Sequence, residues 1–323
     1  MSHFDVCNGD ADGLCALHQL RLAFPQKSML VTGVKRDISL LRRISAQKGD
    51  TVSVLDVSFD ANRPDIVRLL SKGVLIDYFD HHTCTKLLSH PGLRASIETD
   101  SSICTAILVD RFLSGRYRLW TIVAAYGDNL DVSATALAKP LSLTSNQLSE
   151  LKQLGFYLNY NSYGDTVEDL IINPTELYSR LHCYTDPFIF LYKETIVEKL
   201  HVSYTADMAN AVHCVPYAES AFYGIFILPD AAWSRRIRGA YANKLANQFP
   251  RKAYAVLSPT VENAYTVSVR VPISGMTTAD EFCLRYPTGG GRANAGGINY
   301  LDKNDLYKFI KAFQMQFQRP ANH

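Results

Sequence analysis

The sequence predicts an α/β fold, with an N-terminal domain built on a parallel sheet flanked by helices and a smaller C-terminal α/β domain. Over roughly the first hundred residues, β-prone apolar runs alternate with amphipathic segments of about ten residues, which is the pattern of βαβ units. Beyond Pro216, three more apolar runs accompany one long helical segment. The 323 residues are 47% hydrophobic and 20% charged, so the chain can fill sizeable cores and is not disordered.

Periodicity and charge divide the chain into three parts. Residues 1–188 are the predicted metal-binding catalytic domain, 189–216 a connecting helix or linker, and 217–323 a substrate-binding domain. From Tyr217 onward there are thirteen Lys and Arg against seven Asp and Glu, so the earlier part is acidic although the net charge is only +2. An acidic lobe joined to a basic one suits an anionic substrate, although ordinary surface variation explains the asymmetry equally well.

The elements of the first two parts follow from apolar spacing and from helix start and stop signals. Strands are predicted at His3 to Cys7, Met29 to Val34, Thr51 to Val57, Val74 to Phe79 and Leu93 to Ile97. Helices are predicted at Leu14 to Phe24, Ile38 to Gln47, Arg63 to Ser71, Leu119 to Ala125, and from caps at Ser101 and Ser102 to Leu113. Mostly helical structure is expected at Ser145 to Tyr160, Asp165 to Tyr184 and Ile189 to Ala211.

The third part has its own strands, helices and a glycine-rich segment. Strands are predicted at Ser220 to Leu228, Ala253 to Leu257 and Tyr265 to Val271, and helices at Ala232 to Gln248 and Lys303 to Gln318. Between them, Thr288 to Gly297 is expected as a loop whose backbone N–H groups can approach an anion.

Bulk features exclude several classes of protein. There is no run of about eighteen apolar residues that would span a membrane, and no basic-then-apolar start that would indicate a secretory signal. The seven cysteines are dispersed without a CxxC pair, which favours a reducing compartment and hence the cytoplasm.

Four acidic stretches stand at or near the ends of apolar runs, and we expect them to meet at one edge of the sheet. They are Asp10 with Asp12, Asp56, Asp80-His81-His82, and Gly127-Asp128. Carboxylates this close repel by a few kcal/mol per pair at an effective dielectric of about 20, and divalent cations remove that penalty. Oxygen ligands with one or two imidazoles favour Mn²⁺ or Mg²⁺. Two such ions, bridged by Asp56, would activate a water and neutralise a phosphoryl group, although each stretch alone also fits a turn or a helix cap.

These stretches resemble, in order and spacing, the four motifs of the DHH phosphoesterases. That family includes RecJ-type exonucleases, nanoRNases, cyclic-dinucleotide phosphodiesterases and family II inorganic pyrophosphatases. The sequence GGGRANAGG, from Gly289 to Gly297, resembles the glycine-rich signature of the associated DHHA1 domain, which usually has a GGGH-type sequence. The resemblance spans most of the chain.

The resemblance implies two divalent ions, Mn²⁺ in the first place and Mg²⁺ as the alternative. It assigns Asp10 and Asp56 to one ion, and to the other the set Asp12, Asp56, His81 and Asp128. It also implies the catalytic group His82, beside the substrate phosphate or the water, together with Asp56 and with Asp80, which orients a histidine. Substrate binding falls to Arg270, which lies in a Ser-x-Arg element at Ser268, and to Asn8, Gly289, Gly290, Gly291 and Arg292.

Three positions depart from the family pattern. Val6 stands where one branch has a histidine, and Asn8 stands where the RecJ-like branch has an aspartate. Asn8 is a neutral and weaker ligand, so the first ion is expected to bind loosely or with more water. Arg292 replaces the histidine of the glycine-rich signature; arginine still grips phosphate but does not transfer protons.

We therefore predict a metal-binding hydrolase, a phosphodiesterase or nuclease acting on short single-stranded oligonucleotides or small nucleotides through a metal-activated water. Two alternatives remain open at this stage. One is an exopolyphosphatase or pyrophosphatase that cleaves phosphoanhydrides, and the other is a catalytically weak nucleotide sensor. No membrane partner is expected, and an oligomer is possible.

Overall fold

The computed structural model describes residues 1–272 and 277–318 and divides the chain into two compact units, Met1–Val202 and Ser203–His323. Each unit has its own sheet and its own apolar core. The division falls inside the helix Thr195–Val212. None of the helices in these described ranges is long and apolar enough to cross a membrane.

The first unit contains a five-stranded sheet in which every strand is parallel to its neighbours, as predicted. The strand order is β2-β1-β3-β4-β5, with β1 (His3–Cys7), β2 (Met29–Val31), β3 (Thr51–Leu55), β4 (Leu75–Asp80) and β5 (Leu93–Ile97). β2 lies on one side of β1 in the sheet and β3 on the other, so the direction of strand addition reverses between β1 and β3. In open α/β sheets such a switch point opens a crevice at the carboxyl ends of the two strands, and this is where ligands bind.

Helices cover the sheet of the first unit and extend beyond it. They are α1 (Ala11–Ala23), α2 (Phe59–Ser71), α3 (Thr105–Phe112), α4 (Arg118–Gly127), α5 (Asp131–Ala138), α6 (Ser145–Tyr160), α7 (Pro174–Leu181) and α8 (Pro187–Lys193), followed by α9 (Thr195–Val212). The α1 side chains from Ala11 to Arg21 are all buried, so this helix is the centre of the unit. Its N-terminus begins directly after β1 and is therefore fixed at the carboxyl edge of the sheet.

The second unit has a six-stranded mixed sheet with the order β10-β11-β9-β8-β7-β6. Its strands are β6 (Ala218–Glu219), β7 (Tyr223–Ile227), β8 (Ala253–Pro259), β9 (Ala264–Arg270), β10 (Gly289–Arg292) and β11 (Ala295–Asp302). Its helices are α10 (Ala232–Gln248), α11 (Ala279–Cys283) and α12 (Leu306–Phe317). One face of the sheet packs on the phenylalanines of α11 and α12, chiefly Phe282, Phe309 and Phe313, which form edge-to-face and stacked pairs.

The segment from Ile38 to Gln47 was predicted as a helix, and that prediction is wrong. It contains only a short 3₁₀ helix, Leu40–Arg43. The reason is tertiary, because the Asn62 amide of α2 accepts from the Leu41 N–H at 3.2 Å and donates to the Ile38 carbonyl at 2.6 Å. Backbone groups satisfied in this way do not need a helical ladder.

Two other helix predictions need correction at their starts. The helix expected from Ser101 begins at Thr105, since Ser102 binds the Asp100 carboxylate through its N–H at 2.8 Å and its hydroxyl at 2.7 Å. The region 165–184, expected to be mostly helical, holds a 3₁₀ turn and then α7, which begins at Pro174. Proline favours the first turn of a helix and cannot donate to a preceding one.

The long connecting helix predicted from Ile189 to Ala211 is interrupted at Glu194. The backbone of Glu194 is extended, so α8 ends there and α9 begins at the next residue. Its carboxylate accepts from the Tyr184 hydroxyl at 2.9 Å, which holds the break in place.

The glycine-rich segment, predicted as a loop, is a β-hairpin. β10 pairs antiparallel with β11, and β11 pairs antiparallel with β9. Residues without side chains allow the hairpin to lie against α11: a Cβ on Gly289 would be 1.8 Å from the Cys283 carbonyl oxygen.

Candidate active site

The carboxyl edge of the first sheet gathers three of the predicted acidic stretches. Asp10 is the N-cap of α1 and accepts from the Gly13 N–H at 3.0 Å, which places Asp12 in the first turn of that helix. Asp56 directly follows β3, and Asp80 is the last residue of β4. All four carboxylates are buried, with exposed fractions of 2% or less. The convergence expected from parallel strands is therefore present.

Asp128 reaches the same place from a helix rather than from a strand. It is the C-terminal cap of α4. The preceding Gly127 allows α4 to approach α1 and α6 closely, because a Cβ there would be 2.4 Å from the Ala11 Cβ and 2.9 Å from the Gly155 carbonyl oxygen. A carboxylate at a helix C-terminus is disfavoured by the helix dipole, so a nearby cation stabilises it.

His81 is the centre of the carboxylate cluster. Its Nε2 atom lies 3.4 Å from Asp56 Oδ1, 3.9 Å from Asp12 Oδ2 and 4.0 Å from Asp128 Oδ2. Its Nδ1 atom lies 2.9 Å from the Ile103 carbonyl oxygen, which can only accept, so Nδ1 carries the hydrogen. In the neutral ring the lone pair of Nε2 therefore faces three carboxylates, an arrangement that a shared cation stabilises.

Burial and mutual repulsion shift the pKa values of these acids. Burial raises the pKa of Asp12, although both its oxygens accept backbone hydrogen bonds, from Thr105 at 2.7 Å and Ala106 at 2.8 Å. Burial and the neighbouring charges of Asp10 and Asp12 raise the pKa of Asp56 well above its usual range. Asp56 also has a left-handed backbone with φ of 58°, a conformation that is strained for most residues and recurs at functional sites. A metal cation bound beside Asp56 would offset this repulsion and favour its carboxylate form.

Asp80 positions the two histidines that follow it and does not face the cluster. Its Oδ1 atom accepts from the His82 ring at 2.6 Å and from the backbone N–H groups of His81 and His82 at 2.9 and 3.3 Å. Its Oδ2 atom accepts from the Phe59 N–H at 3.2 Å. Burial disfavours the charged form of His82, but the hydrogen bond and the charge of Asp80 outweigh it and raise the His82 pKa.

Lys35, in the loop after β2, was not among the site residues predicted from the sequence. Its ammonium group is 2.6 Å from Asp10 Oδ2, 3.3 Å from Asp128 Oδ1 and 3.3 Å from Asn159 Oδ1. Burial alone would lower the pKa of Lys35, but the two carboxylates raise it well above its usual range, so the ammonium form persists. Nothing in the local sequence around Lys35 signals this position.

Asn8, predicted at the substrate or the first ion, has both ends of its side-chain amide engaged within the protein. Its Oδ1 atom accepts from the Asp10 N–H at 3.2 Å, and its Nδ2 atom donates to the Lys35 carbonyl at 3.1 Å. It is buried, with an exposed fraction of 5%. In this structure Asn8 shapes the loop and holds Lys35.

The residues present fit a divalent cation. The Nε2 atom of His81 and the three carboxylates that face it, from Asp12, Asp56 and Asp128, form a set of oxygen and imidazole donors. This donor chemistry suits Mn²⁺ or Mg²⁺ rather than a thiolate-bound metal.

The two predicted substrate arginines of the second unit, Arg270 and Arg292, share one face of its sheet. In the register of β9, β11 and β10, Arg270 pairs with Ala295, which pairs with Arg292. Directly paired residues point to the same side, so the two arginines flank a small residue at a separation of roughly 10 Å between their Cα atoms. Ser268, two residues before Arg270 on β9, lies on the same face, opposite Gly297.

The three predicted glycines do not serve one purpose. Gly289 and Gly291 point to the packed face, where a Cβ on Gly291 would be 2.4 Å from the Gly296 Cα. Gly290 points to the arginine-bearing face, where a Cβ would meet nothing within 4 Å. A further arginine on this side, Arg238 of α10, was not among the predicted site residues; it donates to the Ser268 hydroxyl at 3.3 Å.

No family model and no curated protein matches the chain. Solved structures do match, and over nearly its whole length the chain has the α/β fold of RecJ. The exonuclease RecJ bound to manganese matches with a TM-score of 0.63 at 15% identity, covering 99% of this chain and 91% of that one. RecJ from Thermus thermophilus in complex with Mn²⁺ matches with a TM-score of 0.65 at 16% identity, covering 99% of this chain and 53% of that one.

A protein of similar length matches over nearly the whole of both chains. The pGpG-specific phosphodiesterase PggH from Vibrio cholerae matches with a TM-score of 0.56 at 15% identity, covering 98% of both chains. These matches confirm the fold that the sequence motifs imply.

Proposed function

We propose that the chain is a divalent-metal-dependent phosphoesterase of the DHH type, which hydrolyses phosphoester bonds in short oligonucleotides or small nucleotides. The observation that carries the proposal is the position of His81 Nε2, within 4.0 Å of carboxylate oxygens from Asp12, Asp56 and Asp128. Three acids from distant parts of the chain, two of them with raised pKa values, face one lone pair. A bound divalent cation would supply an activated water and neutralise charge on the phosphoryl oxygens.

The protein groups around this position have separate tasks. Asp12, Asp56, His81 and Asp128 hold the cation. His82 is partly exposed, with 40% of its side chain accessible, and its Nδ1–H is bound to Asp80, so its other ring nitrogen is available to a phosphate or a leaving oxygen. The raised pKa of His82 increases the protonated share of the ring, which suits donation to either of these groups.

Manganese is the proposed ion, with magnesium as the alternative. RecJ has been solved with Mn²⁺ and with Mg²⁺, and the donor set here is of the type both ions accept. The sequence motifs predict two ions, with Asp10 and Asp56 serving one of them. The ammonium group of Lys35 lies 2.6 Å from Asp10, one of the two acids that the motifs assign to that ion.

A short nucleotide is the proposed substrate. RecJ is named an exonuclease and PggH a pGpG-specific phosphodiesterase, so proteins of this fold include enzymes that act on nucleic acid and on a dinucleotide. The face that carries Arg270 and Arg292 in the second unit supplies charge and forked donors for a phosphate. The seven cysteines are free thiols, in keeping with a cytoplasmic protein.

The test is hydrolysis of a substrate panel with added Mn²⁺. The panel contains pGpG and other dinucleotides, a cyclic dinucleotide, 3′-phosphoadenosine 5′-phosphate, single-stranded DNA, pyrophosphate and polyphosphate. We expect release of mononucleotide that EDTA abolishes and that Asp56→Asn removes, whereas Asp77→Asn, which alters an exposed pair with Arg94, retains it. Cleavage of pyrophosphate or polyphosphate without any nucleotide turnover would instead support the phosphoanhydride alternative.

The sensor alternative has one structural observation in its favour. Lys35 neutralises Asp10, a predicted metal ligand, and a site with a lysine in it can bind nucleotides without cleaving them. Tight binding of a dinucleotide, with no turnover of any panel member in Mn²⁺, would favour that role.

A further inference from the structure

We infer that the ammonium group of Lys35 takes the place of one of the two cations, so that the site holds a single divalent ion, at the His81 side of the cluster. The inference rests on the proposed function and refines the number of ions it requires. It is carried by four features: the contacts of the ammonium group, the anchoring of its backbone, the neutral side chain of Asn8, and the division of the Asp128 carboxylate.

The ammonium group is fully coordinated by oxygen. It has three N–H donors, and three acceptors lie within 3.3 Å, one each from Asp10, Asp128 and Asn159. The Lys35 side chain is 31% exposed, and that of Asp10 is 3% exposed. A compact charge surrounded by oxygen atoms in this way satisfies the same acids that a metal ion would.

Lys35 is held in this position by its backbone. Its N–H donates to the Ser162 carbonyl at 2.9 Å, and its own carbonyl accepts from Asn8 Nδ2 at 3.1 Å. The loop can reach the site because Gly9 has no side chain: a Cβ there would be 2.0 Å from the Gly33 carbonyl oxygen. A lysine fixed at both backbone groups is a built-in part of the site, unlike a surface lysine that swings through solvent.

Asn8 and Lys35 change the charge of this side of the cluster together. An aspartate at position 8 would add a negative charge and could not donate to the Lys35 carbonyl, whereas the asparagine amide does so. The amide oxygen of Asn8 is engaged by the Asp10 N–H and is turned to the loop. Compared with a site that has an aspartate at position 8 and no lysine, this site has one negative charge fewer and one positive charge more. Both differences reduce the electrostatic attraction for a second divalent ion.

The Asp128 carboxylate marks the boundary between the two positions. Its Oδ1 atom is 3.3 Å from the Lys35 ammonium, while its Oδ2 atom is 4.0 Å from His81 Nε2. Asp128 Oδ1 thus accepts from the Lys35 ammonium, and Oδ2 faces the proposed metal position beside His81. A fixed ammonium group beside a bound ion can stabilise negative charge on a phosphoryl group. Unlike a weakly bound second metal ion, it cannot dissociate when the metal concentration is low.

The experiment counts bound Mn²⁺ in the full chain by equilibrium dialysis with metal analysis and by electron paramagnetic resonance. Wild type, Lys35→Gln and the control Arg36→Gln are compared; Arg36 is the adjacent cation and pairs with Asp165. We expect one ion in wild type and in Arg36→Gln, with the signal of an isolated Mn²⁺. In Lys35→Gln we expect two ions and an exchange-coupled pair signal.

Each outcome has a consequence. Two ions in wild type, or one ion in both wild type and Lys35→Gln, would overturn the inference, since Lys35 would then not decide the count. No bound ion in any of the proteins would instead refute the proposed function. Should Lys35→Gln fail to fold, as judged by circular dichroism, Lys35→Met is the second variant, and the wild-type count alone can still refute the idea.

Discussion

Replacing Asp80 by asparagine tests whether this residue acts by orienting His82. The Asp80 carboxylate accepts four hydrogen bonds, one of them from the His82 ring at 2.6 Å, and it is completely buried. Asparagine keeps the shape but has one acceptor oxygen and an NH₂ group, which would face N–H donors on one side. The change therefore removes a charge-assisted hydrogen bond and leaves at least one buried donor without an acceptor.

The expected size follows from these contacts. A hydrogen bond to a charged group contributes about 1.5–3 kcal/mol, and partners that orient a functional histidine typically affect activity by about 10–100-fold. We expect kcat of Asp80→Asn to fall by about that factor. Because Asp80 contributes most to raising the His82 pKa, the alkaline limb of the pH–rate profile should also move to lower pH.

The assay is the pH dependence of Mn²⁺-supported hydrolysis of the best substrate from the panel. Asp77→Asn is the matched control, since Asp77 lies on the same strand but forms an exposed pair with Arg94. A double-mutant cycle with His82→Gln then separates two explanations. If Asp80 acts through His82, the asparagine substitution should cost little more once His82 is gone.

Two results would contradict this reasoning. The first is a fall in kcat with an unchanged alkaline limb, which would indicate a general loss of structure. The second is full additivity of the two substitutions in the cycle, which would mean that Asp80 and His82 act independently.

Three further predictions concern other parts of the chain. Burial opposes ionisation of Asp5, but hydrogen bonds from Arg21 and His3 lower its pKa to about 2. Because the pKa of Asp5 is lower in the folded than in the unfolded protein, its ionisation adds about 2.5 kcal/mol to the free energy of unfolding at pH values above the unfolded pKa of about 3.9. This stabilisation is lost as the pH falls toward 2. Asp5→Asn should remove this contribution, and equal acid dependence of melting in both proteins would contradict it. Gly9→Ala should destabilise the fold by about 1–3 kcal/mol or more in urea unfolding and weaken the Lys35 contacts, because its Cβ would be 2.0 Å from a carbonyl oxygen; unchanged unfolding would show that the loop moves freely. Arg270→Gln should raise KM about 10-fold with a smaller effect on kcat if it binds substrate phosphate, and an unchanged KM would exclude that contact.

Local sequence was sufficient for the sheet and for most of the acidic cluster. Apolar strands alternating with helices require a parallel arrangement, and residues that follow parallel strands meet at one edge. For this reason Asp10, Asp56 and Asp80 could be assigned to a common place without any coordinates. The alignment of Arg270 and Arg292 on either side of Ala295 could not be predicted, because strand register depends on the hairpin that was expected as a loop.

The sequence by itself thus determined where Asp10, Asp56 and Asp80 lie, since each follows an apolar strand in a pattern that a parallel sheet satisfies. Only the tertiary structure showed that the ammonium group of Lys35 contacts two of the acids, Asp10 and Asp128. Lys35 owes its position to Asn8, to Ser162, to Asn159, which is 124 positions away, and to a glycine that lets two loops touch. Such contacts have no period and no local signal, because they arise only when distant segments pack against one another.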